Sequence, residues 1–119
     1  MSGYVDLYVL PVPKKLIPFY RRMSSVMGKI MRSHGCLEYR EFMGDDLHVK
    51  NMVSPLTLVK VKKGEVLVFA VTGFQSKAHR NQVLKRTMSD VRVKKMCSKP
   101  MPFDHKRMVY GGFKTIVKA

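Results

Sequence analysis

The sequence predicts an α+β fold in a single domain that spans residues 1–119. Segments with strand-like alternation and segments with helix-like periodicity follow one another in the order β-α-β-β-α-β. The first and third predicted strands are apolar on both sides, so both faces of their sheet need cover. The chain length is that of one ordinary domain, which can bury a core without a metal ion or a disulfide bond.

The first half of the chain contains a predicted strand, a helix and a second strand. Tyr4 to Leu10 is rich in β-favouring residues and is followed by the prolines of Pro11-Val12-Pro13, which would stop a strand. Pro18 suits the first turn of a helix and Gly35 suits its end. Cys36 to Met43 predicts the second strand, before a Gly-Asp-Asp turn. The helix carries an apolar stripe about 100° wide, formed by Leu16, Tyr20, Met23, Met27, Ile30, Met31 and His34.

The second half contains a long connection, a strand, a helical region and a last strand. Ser76 has the side chain and position of a helix N-cap. Two glycines, Gly111 and Gly112, predict a bend within the last strand. The predicted segments are a connection over 46–64 with a candidate extra strand at 58–61, a strand over 65–74, a helix from Ser76 to about Ser89, a further helical turn over 91–96 and a strand over 107–117.

This order of elements is the ferredoxin-like, or split βαβ, arrangement. Its antiparallel sheet carries both helices on one face and leaves the other face open. Val66 to Val71 is apolar on both sides, and no remaining segment is predicted to cover the open face. We therefore predict a homodimer in which two sheets pack face to face through their open faces.

Composition excludes several classes of protein. The longest apolar runs are too short to span a bilayer, and the N-terminus lacks the basic start of a secretory signal, so we expect a cytoplasmic protein without membrane contact. Cys36 and Cys97 are too few and too widely spaced for a disulfide framework. The four histidines show no metal-ligand spacing, and no nucleotide-binding or nucleophile motif is present. We expect no metal and no cofactor.

The formal net charge of +15 is unusual for a chain of this size. Such a charge attracts polyanions, although it also simply keeps a protein soluble. An RNA or DNA partner would be held mainly through its phosphates, because the aromatic residues belong to faces that the fold covers. The basic residues cluster on the outer faces of the helical segments, at Arg21, Arg22, Lys29, Arg32, Lys77, Lys85, Arg86, Arg92, Lys94 and Lys95.

Several motifs resemble those of a known family. They are Tyr4-Val5-Asp6 with Pro11-Val12-Pro13-Lys14, His34-Gly35-x-Leu37-Glu38-Tyr39, Gly44-Asp45-Asp46, Ala78-His79-Arg80 and the run from Met101 to Lys114. With these motifs the chain resembles, over nearly its full length, the YbaA-like proteins, a small bacterial family of unknown function within the dimeric α/β-barrel superfamily. The resemblance implies the same face-to-face dimer. That superfamily includes cofactor-independent monooxygenases, haem-degrading enzymes and isomerases, and this diversity implies no single chemistry.

Candidate site residues are expected on the sheet face that the partner encloses, because that surface is concave. The more apolar alternate positions of each strand are assigned to this face. Enclosed carboxylates there could serve as general acids or bases. The alternative is structural: a Glu38–Arg40 pair, a hydrogen bond to Asp6 and packing by the tyrosines. The candidates are Asp6, Tyr8, Glu38, Arg40 and Tyr110.

Four further candidates lie near helix ends and turns. His34 lies in the last turn of the first helix, where a cap is the alternative role. His79 and Arg80 lie in the first turn of the second helix, and Arg80 could extend to solvent. Arg107 flanks a turn with Asp104, where an ion pair would explain it. No residue is assigned a catalytic role.

The leading functional hypothesis is a dimeric barrel that binds, and could transform, a small organic molecule in the cavity between its two sheets. The alternative is a basic protein associated with nucleic acid through phosphate contacts on the helix faces. A third hypothesis is a structural dimer without a ligand.

Overall fold

A computed structural model describes residues 2–119, and the predicted order of elements is confirmed there. The strands pair antiparallel in one sheet with the order β2-β3-β1-β4, which is an α+β, ferredoxin-like fold. Short 3-10 helices lie at Lys14–Leu16, Pro55–Thr57 and His105–Arg107. The longer elements are β1 (Tyr4–Pro13), α1 (Ile17–Ser33), β2 (Glu38–Met43), β3 (Glu65–Phe74), α2 (Lys77–Ser89), α3 (Val91–Cys97) and β4 (Val109–Lys114).

The prediction that prolines stop β1 at Leu10 is wrong, because the strand continues through Pro13. The N–H of Lys14 bonds to Gly64 on the β3 side of β1. The backbone N–H directions alternate along a strand, so the nitrogens of residues 11 and 13 point away from β3, toward the β4 side of β1. On that side β4 pairs with β1 only as far as Val9. The prolines therefore lie where the strand has become an edge and needs no N–H donor.

Two other predicted strands are longer than the observed ones. Cys36 belongs to the turn after α1, where its N–H bonds to the carbonyl of Met31 at 3.1 Å, so β2 begins at Glu38. β4 begins after a 3-10 turn that Asp104 caps and ends opposite Tyr4. The bend predicted at Gly111 and Gly112 is wrong, because both residues pair regularly with β1. The candidate extra strand at 58–61 forms no strand.

One face of the sheet carries the helices and most of the core. Near one end, Leu10, Val12 and Val68 pack against Tyr20 of α1. Near the other end a second cluster contains Met31, Cys36, Phe74 and Val83. Local signals place the helices as predicted: Ser76 accepts the N–H of His79 as an N-cap, and Gly35 ends α1 with φ +110°.

The opposite face is partly covered by the chain itself, which corrects the prediction that nothing remains to cover it. The connection between β2 and β3 folds over this face and packs Val59 against Val9 and Leu67. Beyond that cover, Phe69, Val109 and Phe113 are 40, 40 and 53% exposed. An apolar patch therefore remains on this face.

No helix among residues 2–119 has the length and the apolar character that crossing a bilayer would require.

Candidate functional site

The predicted set of facing residues does not converge, because β1 and β4 place Asp6, Tyr8 and Tyr110 on the face opposite to the one assumed. Asp6 pairs with Thr72 of β3, which pairs with Tyr39 of β2, so Tyr39 and Asp6 share the helix-covered face. Glu38 and Arg40 therefore lie on the open face, to which they were assigned. Asp6, Tyr8 and Tyr110, in contrast, lie on the helix-covered face. The prediction that they join Asp6, Tyr8 and Tyr110 in one space is wrong.

The two β2 candidates also form no pair with each other. Among residues 2–119 no ion pair joins Glu38 to Arg40. The exposed guanidinium of Arg40 lies over the ring of Phe42, 4.9 Å from its centroid. Phe42 in turn stacks on Phe69 at 4.8 Å between centroids. Phe42 and Phe69 form part of the apolar patch on the open face.

A cavity of about 200 Å³ lies between the sheet and the helices. Tyr8 is the one predicted candidate that lines it. Glu41, Tyr20 and Tyr39, which are not among the predicted candidates, also line it. Seven of the ten methionines of the chain contribute to the wall, namely Met23, Met27, Met31, Met88, Met96, Met101 and Met108. The cavity is therefore apolar and flexible, with a few polar groups.

Glu41 is the carboxylate of this cavity. The hydroxyl of Tyr20 donates to its Oε1, and the hydroxyl of Tyr39 donates to its Oε2 at 3.2 Å. Ser24 lies 3.0 Å from the Tyr39 hydroxyl and extends the network. Burial raises the pKa of Glu41, although the two tyrosine hydrogen bonds oppose the shift. A carboxylate accepts about four hydrogen bonds, so Glu41 keeps capacity for a ligand donor.

The two tyrosines remain donors at neutral pH. Burial raises the pKa of Tyr20 and of Tyr39 above the ordinary value, and the neighbouring Glu41 raises both further. Two more polar groups lie in the wall, the hydroxyls of Thr72 and Thr87. Both are buried without a hydrogen-bond partner among residues 2–119. The cavity thus offers one acceptor carboxylate to an occupant, whereas the two threonine hydroxyls have no accessible surface in its wall.

Asp6 belongs to a separate buried cluster outside the cavity wall. It is 0% exposed, accepts the hydroxyl of Tyr110 at 3.0 Å and lies 3.5 Å from Nε of Arg80. The guanidinium also donates to the hydroxyls of Tyr4 and Tyr110, both at 3.0 Å. Arg80 therefore points into the protein rather than to solvent. Its contacts tie α2 to β1 and β4.

Gly112 gives this cluster its space. A Cβ at this position would clash with the hydroxyl of Tyr4 and lie 3.0 Å from the Arg80 guanidinium. Burial raises the pKa of Asp6, while Tyr110 and Arg80 act in the opposite direction. The arrangement is that of a structural ion pair, since Asp6 and Arg80 lie 3.5 Å apart and the tyrosine hydroxyls bond to them. Among residues 2–119, Asp6 Oδ1 and Arg80 Nε themselves form no hydrogen bond.

The remaining predicted candidates also bond to the protein itself. His34 lies 2.7 Å from Asp90, which caps α3, so it joins the end of α1 to the start of α3. His79 accepts the N–H of Gln75 at 3.0 Å. Arg107 bonds to both oxygens of Glu65 at 2.6 and 2.7 Å. The basic side chains predicted on the outer faces of the helical segments are all exposed.

Residues 3–105 match the family DUF1428, described as a protein of unknown function. The chain belongs to this family. It is also 33% identical over 114 residues to the uncharacterized protein YbaA of Escherichia coli K12, covering 96% of this chain and 97% of that protein. Both findings confirm the family resemblance that the sequence motifs indicate.

Two solved structures show the fold at lower identity. A protein from Caulobacter crescentus CB15, described as a proposed antibiotic biosynthesis monooxygenase, has a TM-score of 0.54 at 13% identity and covers 98% of this chain and 92% of its own. A dimeric ferredoxin-like protein from an uncultured marine organism has a TM-score of 0.56 at 10% identity, over 100% of both chains. For this DUF1428 member these likenesses show the ferredoxin-like fold.

The Glu65–Arg107 pair makes stability depend on pH. Hydrogen bonds from Arg107 lower the pKa of Glu65 from 4.5 to about 2. A carboxyl group whose pKa is lowered in the native state stabilises that state at pH values above its ordinary pKa. This contribution is lost as the pH falls through the native-state pKa. We expect Glu65→Gln to lower the melting temperature at pH 7, and the difference from wild type to shrink between about pH 5 and pH 2.

Arg107→Gln serves as a second variant, because it removes the same pair from the other side. It also releases Asp104, whose pKa Arg107 lowers. Thermal unfolding at pH 7, 5, 4 and 3 measures both variants. A Glu65→Gln difference that stays constant over this range would show that the pair does not stabilise the fold.

Proposed function

We propose that this DUF1428 protein binds a small, mainly apolar organic molecule in the cavity between its sheet and its helices. The observation that carries the proposal is a carboxylate, Glu41, held by two tyrosines inside a cavity lined by methionines. This location replaces the space between two sheets that the sequence suggested. The ligand would contact groups of one protomer.

The size and the wall of the cavity favour an aromatic molecule. An apolar cavity of about 150 Å³ accepts benzene, so about 200 Å³ suits one or two rings. Thioether sulfurs interact favourably with aromatic rings, and unbranched methionine side chains adjust to irregular shapes. The lining therefore fits a planar, polarizable occupant better than a sugar or a charged metabolite.

Glu41 would orient such a ligand through a hydroxyl or N–H donor. Because burial raises its pKa, Glu41 is also suited to accept a proton from a bound hydroxyl. A solved protein of this fold described as a proposed antibiotic biosynthesis monooxygenase supports testing phenolic molecules first.

2-Naphthol and naphthalene test the proposal, because they differ by the one hydroxyl that Glu41 would accept. We expect wild type to bind 2-naphthol about tenfold more tightly than naphthalene, and Glu41→Gln to lose most of that preference. Isothermal titration calorimetry gives the affinities. Thermal unfolding reports binding independently, since a ligand at 100 times its dissociation constant adds about 2.7 kcal/mol of stability.

Glu38→Gln is the matched control, because it makes the same change on the opposite face. We expect it to keep the wild-type preference. The proposal fails if neither compound stabilises the wild-type protein, or if Glu41→Gln keeps the full preference for 2-naphthol.

We also propose that the protein forms a homodimer through the apolar patch on the open face of the sheet, formed by Phe42, Phe69, Val109 and Phe113. Phe69, Val109 and Phe113 are large side chains on this face, and each has 40% or more of its surface exposed. Burying such a patch against a second copy removes it from water. The solved structure of a dimeric ferredoxin-like protein with a similar fold supports this arrangement.

Val109→Glu is expected to raise the dimer dissociation constant by about 100-fold or more, because an unpaired charge would be buried in the interface. Val26→Glu on the outer side of α1 is the matched control, since Val26 is 49% exposed. Light scattering at micromolar concentration should give twice the chain mass of 13.7 kDa for wild type and Val26→Glu. A wild-type mass of one chain would overturn the dimer.

A cytoplasmic location is a further part of the proposal. Both cysteines are free thiols, Cys36 buried and Cys97 exposed. Reduced thiols are the normal state in the cytosol, whereas oxidising compartments favour disulfides. Fractionation of cells that express the protein tests the location, and recovery in the periplasmic fraction would contradict it.

A further inference from the structure

A second concave surface lies away from the cavity, where β1 ends and β3 begins. The depression measures about 660 Å³. It is lined by Pro13, Lys14, Lys15, Lys62, Lys63, Gly64 and Glu65, a group that we call the lysine cleft. Four of these seven residues carry an ammonium group.

The positive charge of the lysine cleft is not neutralised within the protein. Its one carboxylate, Glu65, is bound by Arg107 through two short hydrogen bonds and also accepts the N–H of Lys62 at 2.7 Å. Among residues 2–119, none of the four lysines lies within ion-pair distance of a carboxylate. Like charges that are held together in this way repel one another until an anion joins them.

The backbone fixes the two walls of the cleft relative to each other. Lys14 donates its N–H to the carbonyl of Gly64 at 2.8 Å, and Glu65 donates to Lys62 at 3.1 Å. Gly64 has φ +82°, which is a conformation that favours glycine. The turn before β3 therefore holds Lys62 and Lys63 beside Lys14 and Lys15.

We propose that the lysine cleft binds a run of adjacent phosphates, either the backbone of a single-stranded nucleic acid or inorganic polyphosphate. Lysine ammonium groups bind phosphates as point charges and tolerate variable geometry. Two pairs of lysines on opposite walls suit an extended polyanion. The lining contains no large apolar side chain that could insert into a lipid surface. The site is independent of the cavity and of its ligand.

The test must separate a site from the general attraction of a chain with net charge +15. Lys14→Gln/Lys62→Gln removes one lysine from each wall of the cleft. Lys77→Gln/Lys85→Gln removes the same charge from exposed positions on α2. Fluorescence anisotropy compares the binding of both variants and wild type to a labelled oligouridylate of ten nucleotides, at salt concentrations from 50 to 200 mM. Thermal unfolding verifies that both remain folded.

We expect the cleft variant to bind the oligouridylate at least about tenfold more weakly at 50 mM salt, and the α2 variant to change less than twofold. The salt dependence of the cleft variant should be shallower by about 1.4 in log–log slope, for two lost phosphate contacts on a single strand. Equal weakening in both variants would overturn the site, as would a wild-type protein that does not bind at 50 mM salt.

Competition with inorganic polyphosphate distinguishes the two sources of phosphate. If polyphosphate displaces the labelled oligouridylate at a lower phosphate concentration than unlabelled oligouridylate does, the cleft is assigned to free polyphosphate. The reverse order assigns it to nucleic acid. Either result supports the proposal. Cleft-dependent binding to vesicles that contain phosphatidylglycerol, without binding to either phosphate chain, would contradict it.

Discussion

Asp6→Ala is expected to lower the free energy of unfolding by about 3–5 kcal/mol. The substitution leaves the guanidinium of Arg80, which is 15% exposed, without its carboxylate and removes the acceptor of the Tyr110 hydroxyl. A buried ion without its partner costs far more than the intact pair contributes. Urea unfolding followed by circular dichroism measures the change.

Asp6→Asn and Arg80→Met refine this expectation. Asparagine keeps an oxygen that can accept from Tyr110, so Asp6→Asn should cost less than Asp6→Ala. The double variant Asp6→Ala/Arg80→Met should lose less stability than the sum of the two single variants, because neither charge is then left alone. Additive losses, or a loss below about 1.5 kcal/mol for Asp6→Ala, would show that the pair is not coupled in the fold.

Asp6 also has a pH dependence opposite in sign to that of Glu65. Because burial raises its pKa, the native state binds a proton at a higher pH than the unfolded chain does. The contribution of Asp6 to stability therefore falls as pH rises through the native pKa. Relative to Asp6→Asn, wild type should gain stability as pH is lowered toward the ordinary value of 3.8.

Phe74→Ala is expected to destabilise the protein by about 3–5 kcal/mol. Phe74 is 0% exposed and packs in one cluster with Met31, Cys36 and Val83, where sheet and helices meet. Its ring also contacts His79 edge-on, at 6.1 Å between centroids. Removing it leaves a void that the surrounding strand and helices can fill only in part.

Phe19→Ala is the matched control for this substitution. Phe19 lies in the first turn of α1 and is 47% exposed, so its removal opens no enclosed cavity. We expect its loss to stay below about 1 kcal/mol. Urea unfolding of both variants at equal protein concentration compares them, and similar losses would contradict the position of Phe74 at the centre of the core.

Local sequence signals predicted much of the fold. The strand over 65–74, the N-cap at Ser76 and the glycine that ends α1 are features of short segments, and they lie where the sequence placed them. The end of β1 was mispredicted because its prolines are tolerated only where β4 no longer pairs. That condition depends on a strand about 100 residues later in the chain.

The candidate site was far less accessible from the sequence. Both alternates of β2 mix polar and apolar residues, so only pairing with β3 shows that Glu41 faces the helices and Arg40 does not. Glu41 also depends on Tyr20, which comes from α1. The methionines of the cavity extend from Met23 to Met108 and meet only after the helices pack. The signal that could have indicated the site is their number, ten in a chain of this length.

The central claim is that the cavity beside Glu41 binds a small aromatic molecule, and methionine methyl NMR tests it directly. Seven methionines line the cavity, whereas Met43 and Met52 are 57 and 71% exposed elsewhere. On titration of methyl-labelled protein with 2-naphthol, we predict saturable shifts of signals from the lining methionines and unchanged signals from Met43 and Met52. Shifts confined to Met43 and Met52, or no saturable shift at all, would contradict the claim.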